Sequence, residues 1–124
     1  MPVTTSRECK TLLVVEDEET IGRILRESLT AYGYKVVTVT TVKEALDYYS
    51  KDEPDGMILD MLLPDGSGKD IFDPRGLRIP TIVTSILSRE SVSEMLGTKK
   101  FLFLSKPFDL DQMLHFVDNI FGWK

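Results

Sequence analysis

The stretch Thr11-Leu12-Leu13-Val14-Val15-Glu16-Asp17-Glu18-Glu19 sets five β-prone residues directly against four acids. The apolar run is continuous instead of alternating, the pattern of a strand covered on both faces, as in a parallel sheet buried between helices. Immediately after the acids the period changes: Ile21, Ile24, Leu25 and Leu29 recur at three and four residues. That spacing gives one apolar helical stripe, and Gly33 stands where a helix would be capped.

Outward from this strand and helix, the same alternation recurs. Further short apolar runs lie at Lys35 to Val39, Met57 to Leu59, Thr81 to Val83 and Phe101 to Leu104. Thr41 can cap a helix through Ser50, and Ser88 or Ser91 another through Leu96 that Gly97 closes. At the far end Leu110, Met113, Leu114, Val117, Ile120 and Phe121 form a helical stripe behind Asp109, a favourable N-cap. Between Gly68 and Arg78, Pro74 and Gly76 leave room for only about two turns of helix, so the third helix is expected to be short or irregular. Five strands alternating with about five helices predict a three-layer α/β sandwich around a parallel sheet.

The 124 residues fit one domain, with its core over about residues 10–122. No apolar run approaches the ~18 residues that a membrane span needs, and Met1 to Lys10 lacks the apolar core of a signal peptide; a cytoplasmic address is expected. Cys9 is the one cysteine, which excludes an internal disulfide and reads as incidental. A net charge of -5 argues against direct binding of nucleic acid, which rewards clustered Lys and Arg. His115, the one histidine, falls off the apolar stripe of the last helix and is expected at the surface, so the chain offers no histidine phosphodonor of its own. Trp123 is compatible with covering a sheet edge, packing in a homodimer or lying exposed.

Ligands of an open parallel sheet bind beyond the C-terminal ends of its strands. There the sequence brings Glu16 and Asp17, Asp60, Thr84 and Ser85, and Lys106 followed by Pro107. Three carboxylates forced together repel unless a cation compensates them, and a hard oxygen-seeking ion such as Mg²⁺ (or Mn²⁺) suits such donors. With Lys106 and a metal lowering the charge burden, an ionised Asp60 can attack phosphorus and form an acyl phosphate, with Thr84 donating to a phosphoryl oxygen. Each piece has a plainer reading. Glu16 to Glu19 fit a solvated run entering a helix, Asp60 a strand end, Lys106 a turn, and Phe103 a core ring. The joint occurrence selects the site.

The segments Leu13-Val14-Val15-Glu16-Asp17-Glu18, Leu59-Asp60-Met61 with Pro64 and Gly66, Val83-Thr84-Ser85, and Ser105-Lys106-Pro107-Phe108 resemble the receiver domain of bacterial response regulators. The resemblance implies the strand order 2-1-3-4-5 and assigns Asp60 as phosphoacceptor. It makes Glu16, Asp17 and Asp60, with the backbone carbonyl of Leu62, the metal ligands, and Thr84 and Lys106 the active hydroxyl and amine. It also implies a cis peptide before Pro107 and an aromatic switch at Phe103 moving with Thr84. The phosphodonor would be a histidine kinase or phosphotransfer protein. The surface of the fourth helix, fifth strand and fifth helix would signal to a downstream protein or effector domain. The chain thus reads as a signalling phosphoacceptor that takes part in its own phosphoryl transfer, not as an enzyme. In the family, the residues two beyond the acceptor and two beyond the hydroxyl influence hydrolysis of the acyl phosphate; here they are Leu62 and Ile86, which predicts slow self-dephosphorylation.

From Asp60 to Thr84 the chain is several residues shorter than is usual in the family, which puts the output in question more than the acid pocket. A phosphorylation-independent interaction module on the same fold is therefore the alternative. A flavodoxin-like cofactor enzyme is a third reading, disfavoured because the stretch after the first strand is acidic and not a Gly, Ser or Thr-rich phosphate cradle.

Overall fold

The run at residues 12–15 is apolar throughout because it is buried on every side. In the computed structural model, which describes residues 10–75, 78–97 and 100–121 (backbone alone at 73–75), strand β1 (Thr11–Val15) is paired in parallel along both of its edges. The chain continues through α1 (Glu19–Ala31), β2 (Lys35–Val39), α2 (Val42–Tyr49), β3 (Gly56–Asp60), β4 (Leu62–Leu63), β5 (Gly66–Ser67), α3 (Lys69–Arg75), β6 (Thr81–Ser85), α4 (Arg89–Leu96), β7 (Leu102–Ser105) and α5 (Leu110–Ile120). The five longer strands form one parallel sheet in the order β2-β1-β3-β6-β7. Numbered by themselves these strands run 2-1-3-4-5, the expected order.

Successive side chains of a strand point to opposite faces, and here they enter two separate cores. Leu12 and Val14 pack with Leu25 and Leu29 of α1 and Met113, Leu114 and Val117 of α5. Leu13 and Val15 pack with Val42 and Ala45 of α2, Ile71 and Phe72 of α3, and Val92 and Leu96 of α4. Each fully buried Leu, Val or Phe contributes roughly 1.5–3 kcal/mol, so the two faces together fix which helix lies on which side.

The helix ends carry the expected caps. The Thr41 hydroxyl accepts from Glu44 N at 3.0 Å, and the Glu44 carboxylate accepts from Thr40 N at 2.7 Å. Ser88, not Ser91, caps α4, and Asp109 caps α5. Gly97 closes α4 at φ 74°, in the region that favours glycine. Two expectations shift at the edges. Strand β6 runs on through Thr84 and Ser85, and β7 begins at Leu102, not Phe101. Helix α3 is seven residues, about two turns, as its proline content demands. The short β4–β5 hairpin was not foreseen, because two-residue strands leave no periodic signal. His115 is exposed, whereas Cys9 and Trp123 lie outside the described residues. Among the described residues no helix is long and apolar enough to cross a membrane.

Candidate functional site

Extensions of the sheet ladder hold three of the strand ends that carry these residues. Glu16 N donates to Val39 O at 3.0 Å, Met61 N to Thr84 O at 3.1 Å, and Lys106 N to Ser85 O at 2.9 Å. Asp60 and Thr84 are register partners across β3 and β6, so their side chains rise from the same face of adjacent strands. The backbone therefore places these groups at one edge before any side chain interacts.

Lys106 is the hinge of the charge arrangement. Its ammonium lies 2.9 Å from Glu16 Oε1 and 3.0 Å from Asp60 Oδ2, with the lysine 12% exposed and the two acids 3% and 5%. Asp60 Oδ1 accepts from Leu62 N at 3.1 Å, and Glu16 Oε2 accepts from Glu18 N at 3.1 Å. Burial pushes the Glu16 carboxyl above its usual range, more than its hydrogen bonds with Lys106 and Glu18 N draw it down. Burial pulls the other way on Lys106, but the Glu16 and Asp60 carboxylates together outweigh it, and the ammonium is held above its ordinary value.

Asp17, exposed, completes the group: one carboxylate oxygen from each of Glu16, Asp17 and Asp60 lies within 4.8 Å of the others. Three carboxylates against one ammonium leave surplus negative charge, and all donors are hard oxygens. The residues fit a divalent cation of the Mg²⁺ type. Buried Thr84, 1% exposed, carries the one buried side-chain oxygen or nitrogen among the described residues that has no hydrogen-bond partner, its Oγ1. Such a group is expensive in a finished core and natural in a site that receives an acceptor.

Beside these groups opens a cleft of about 750 Å³, bounded by Asp17, Glu18, Asp60 and Lys106 and otherwise by apolar side chains including Ile24, Leu62, Ile86 and Phe108. Leu62 is 44% and Ile86 71% exposed, both at its rim. The peptide between Lys106 and Pro107 is cis. Phe103 is half-buried, packs against the core on the α2–α4 side and does not line the cleft.

The match to known proteins agrees with this geometry. The response regulator receiver domain family model covers residues 12–118. This chain belongs to the response regulator receiver family. It is 40% identical over 106 residues to the transcriptional regulatory protein KdpE of Mycobacterium tuberculosis, spanning 83% of this chain and 47% of that protein. To the response regulator MprA of Mycolicibacterium vanbaalenii it is 34% identical over 109 residues, 83% of this chain and 46% of the relative. The receiver thus spans about half the length of these relatives. Among solved structures, the response regulator TrrA of Thermotoga maritima in complex with Mg(2+)-BeF superposes with a TM-score of 0.74 at 27% identity, covering 90% of this chain and 98% of that one. Receiver domains of this family serve as phosphoacceptors in two-component systems.

Sequence reasoning missed the loop that follows Asp60. Asp65 Oδ1 and Oδ2 accept from Val42 N at 2.8 Å and Lys43 N at 3.0 Å, tying the β4–β5 hairpin to the start of α2. Pro64-Asp65-Gly66 is a readable turn signal, but the partner of its acid lies 23 residues upstream.

Proposed function

We propose that this receiver accepts a phosphoryl group on Asp60. The observation that carries the reading is the joint placement of Asp60 against Lys106 and in register with Thr84, whose hydroxyl is unpartnered, on the neighbouring strand. A carboxylate oxygen of Asp60 attacks phosphorus, the bond from phosphorus to the donor nitrogen or oxygen breaks, and the leaving group takes the electron pair and a proton from solvent. The product is an acyl phosphate. Lys106 then turns from pairing Asp60 to pairing the phosphoryl oxygens, and the Thr84 hydroxyl donates to one of them.

Glu16, Asp17, Asp60 and the Leu62 carbonyl are the ligands assigned to Mg²⁺ (or Mn²⁺). When bound, the ion neutralises charge on the transferring phosphoryl group. Support for Mg²⁺ comes from the acid cluster and from the TrrA complex.

The donor is a phosphohistidine on a histidine kinase or phosphotransfer protein, seated in the apolar-rimmed cleft over Asp60. Thr84 and Phe103 carry the change to the surface of α4, β7 and α5, which meets a downstream protein or effector domain. Residues 1–124 act as one receiver unit in the cytoplasm, as a signalling component and not a turnover enzyme.

The test is intact mass before and after incubation with acetyl phosphate and Mg²⁺, beside an Asp60→Asn variant and a metal-free sample. One added phosphoryl group requiring both Asp60 and metal is the expected result. Absence of labelling under conditions that label a known receiver overturns the reading and favours the phosphorylation-independent interaction module.

A further inference from the structure

We propose that Asp65 is a positioning residue of the phosphorylation site: it clamps the hairpin that follows Asp60 to the N-terminus of α2 and thereby fixes the Leu62 backbone beside the acceptor. The inference rests on Asp60 being that acceptor.

The path from Asp65 to Asp60 is short and made of directed bonds. Asp65 sits at the tip of the β4–β5 hairpin, in which Leu62 pairs with Ser67 and Leu63 with Gly66. At the base of the hairpin Gly68 N donates to Met61 O at 3.0 Å, and Leu62 N donates to Asp60 Oδ1 at 3.1 Å. At the tip both carboxylate oxygens of Asp65 are used, one on Val42 N and one on Lys43 N. A hairpin of two residues per strand is too short to hold its own shape in water, so its position depends on what it is tied to.

Packing closes the same joint. A Cβ at Gly66 would come within 3.2 Å of Val42 Cγ2 and 2.8 Å of Asp70 Oδ2, so the hairpin tip lies directly on α2. Leu63 and Val42 belong to the same core. On its other side the hairpin presents Leu62 to the cleft that holds Asp60 and Lys106. Asp65 is itself exposed and touches neither acceptor nor acid cluster, so its effect on the site runs through the hairpin backbone.

A plain helix-cap role is separable, because α2 has a second cap that does not touch the hairpin. The Thr41 hydroxyl accepts from Glu44 N at 3.0 Å. Removing either cap weakens the start of α2, but only removal of Asp65 releases the hairpin.

The experiment compares wild type, Asp65→Ala, Asp65→Asn and Thr41→Ala by amide hydrogen exchange and by acetyl phosphate labelling across a Mg²⁺ titration. Asp65→Ala is expected to speed exchange at the Leu62 and Gly68 amides by about tenfold, as local opening of the hairpin requires. It is also expected to raise several-fold the Mg²⁺ concentration for half-maximal labelling while the rate at saturating Mg²⁺ changes little. Asp65→Asn, which keeps an acceptor oxygen, should fall between, and Thr41→Ala should leave both readouts near wild type. Equal effects of Thr41→Ala and Asp65→Ala, or an unchanged Leu62 amide in Asp65→Ala, overturn the proposal. If wild type takes no phosphoryl group, the reading of Asp60 fails, and the exchange measurements still uphold or overturn the clamp.

Discussion

Lys106 grips Glu16 by both carboxylate oxygens, at 2.9 Å to Oε1 and 3.0 Å to Oε2, while the same ammonium reaches Asp60. One cation therefore pairs with two buried acids, from the end of β1 and from β3, that only folding brings together. Lys106→Met keeps most of the stem and removes the charge, leaving those acids facing each other without compensation. Breaking a buried pair in this way costs about 3 kcal/mol at the lower end of the usual range, the end suited to a site that opens on a cleft. The urea midpoint of the metal-free variant at neutral pH is expected to fall accordingly. Millimolar Mg²⁺ should recover part of the loss, since a cation that binds only the native state stabilises it. An unchanged midpoint would show that Lys106 is not compensating the acids.

Thr84 gives the opposite expectation. Its hydroxyl is buried and unpartnered, so Thr84→Val removes a desolvated polar group and keeps the volume. The unphosphorylated variant should be more stable than wild type by about 1 kcal/mol. Once Asp60 is phosphorylated the wild-type hydroxyl gains an acceptor and the valine does not. The stabilisation produced by phosphorylation, read from urea midpoints of the two forms, should be smaller in the variant. A Thr84→Val protein less stable than wild type before phosphorylation would contradict this account.

Asp65 predicts how the acid limb of stability is shaped. The amides of Val42 and Lys43 hold its carboxyl below the usual 3.8. A carboxyl depressed on folding stabilises the native state wherever it is ionised, fully above its unfolded value, and that contribution disappears as pH falls through the folded one. Wild type should therefore exceed Asp65→Ala in urea midpoint by a constant margin near neutral pH. The margin should narrow only as pH drops below about 3.8. A margin that stays constant through that range would mean that the charge of Asp65 does not contribute.

These expectations draw on features of unequal legibility. The strands were readable because helices cover both faces of the sheet, which favours continuous apolar runs as at Leu12 to Val15, and the helices because each buries one stripe. The site followed from the same logic: a parallel sheet delivers whatever ends its strands, so Glu16, Asp60, Thr84 and Lys106 met as their positions implied. What could not be read was contact without period. The β4–β5 hairpin has two residues per strand, and the bonds from Val42 and Lys43 to Asp65 join segments whose proximity only the finished fold creates. The unpartnered state of Thr84 was equally invisible, since a sequence states which groups exist and not which are left without partners.

The rim of the cleft carries the last expectation. Leu62 and Ile86, 44% and 71% exposed, line the same cleft as Asp60, at the two positions to which the resemblance to response regulators assigns an influence on acyl phosphate hydrolysis. Neither side chain has an atom that can hold or orient an attacking water, and both occupy space through which water would approach. The phosphorylated protein should therefore lose its phosphoryl group slowly after acetyl phosphate is removed, as followed by intact mass over time. Leu62→Glu places a carboxylate where a water could be held, and should speed hydrolysis by about tenfold, below the roughly 10²–10⁴-fold that a well-placed general base supplies. A wild-type lifetime as short as that of fast-responding receivers, or a Leu62→Glu variant no faster than wild type, would separate hydrolysis from these two side chains and point to Lys106 and Thr84 as its determinants.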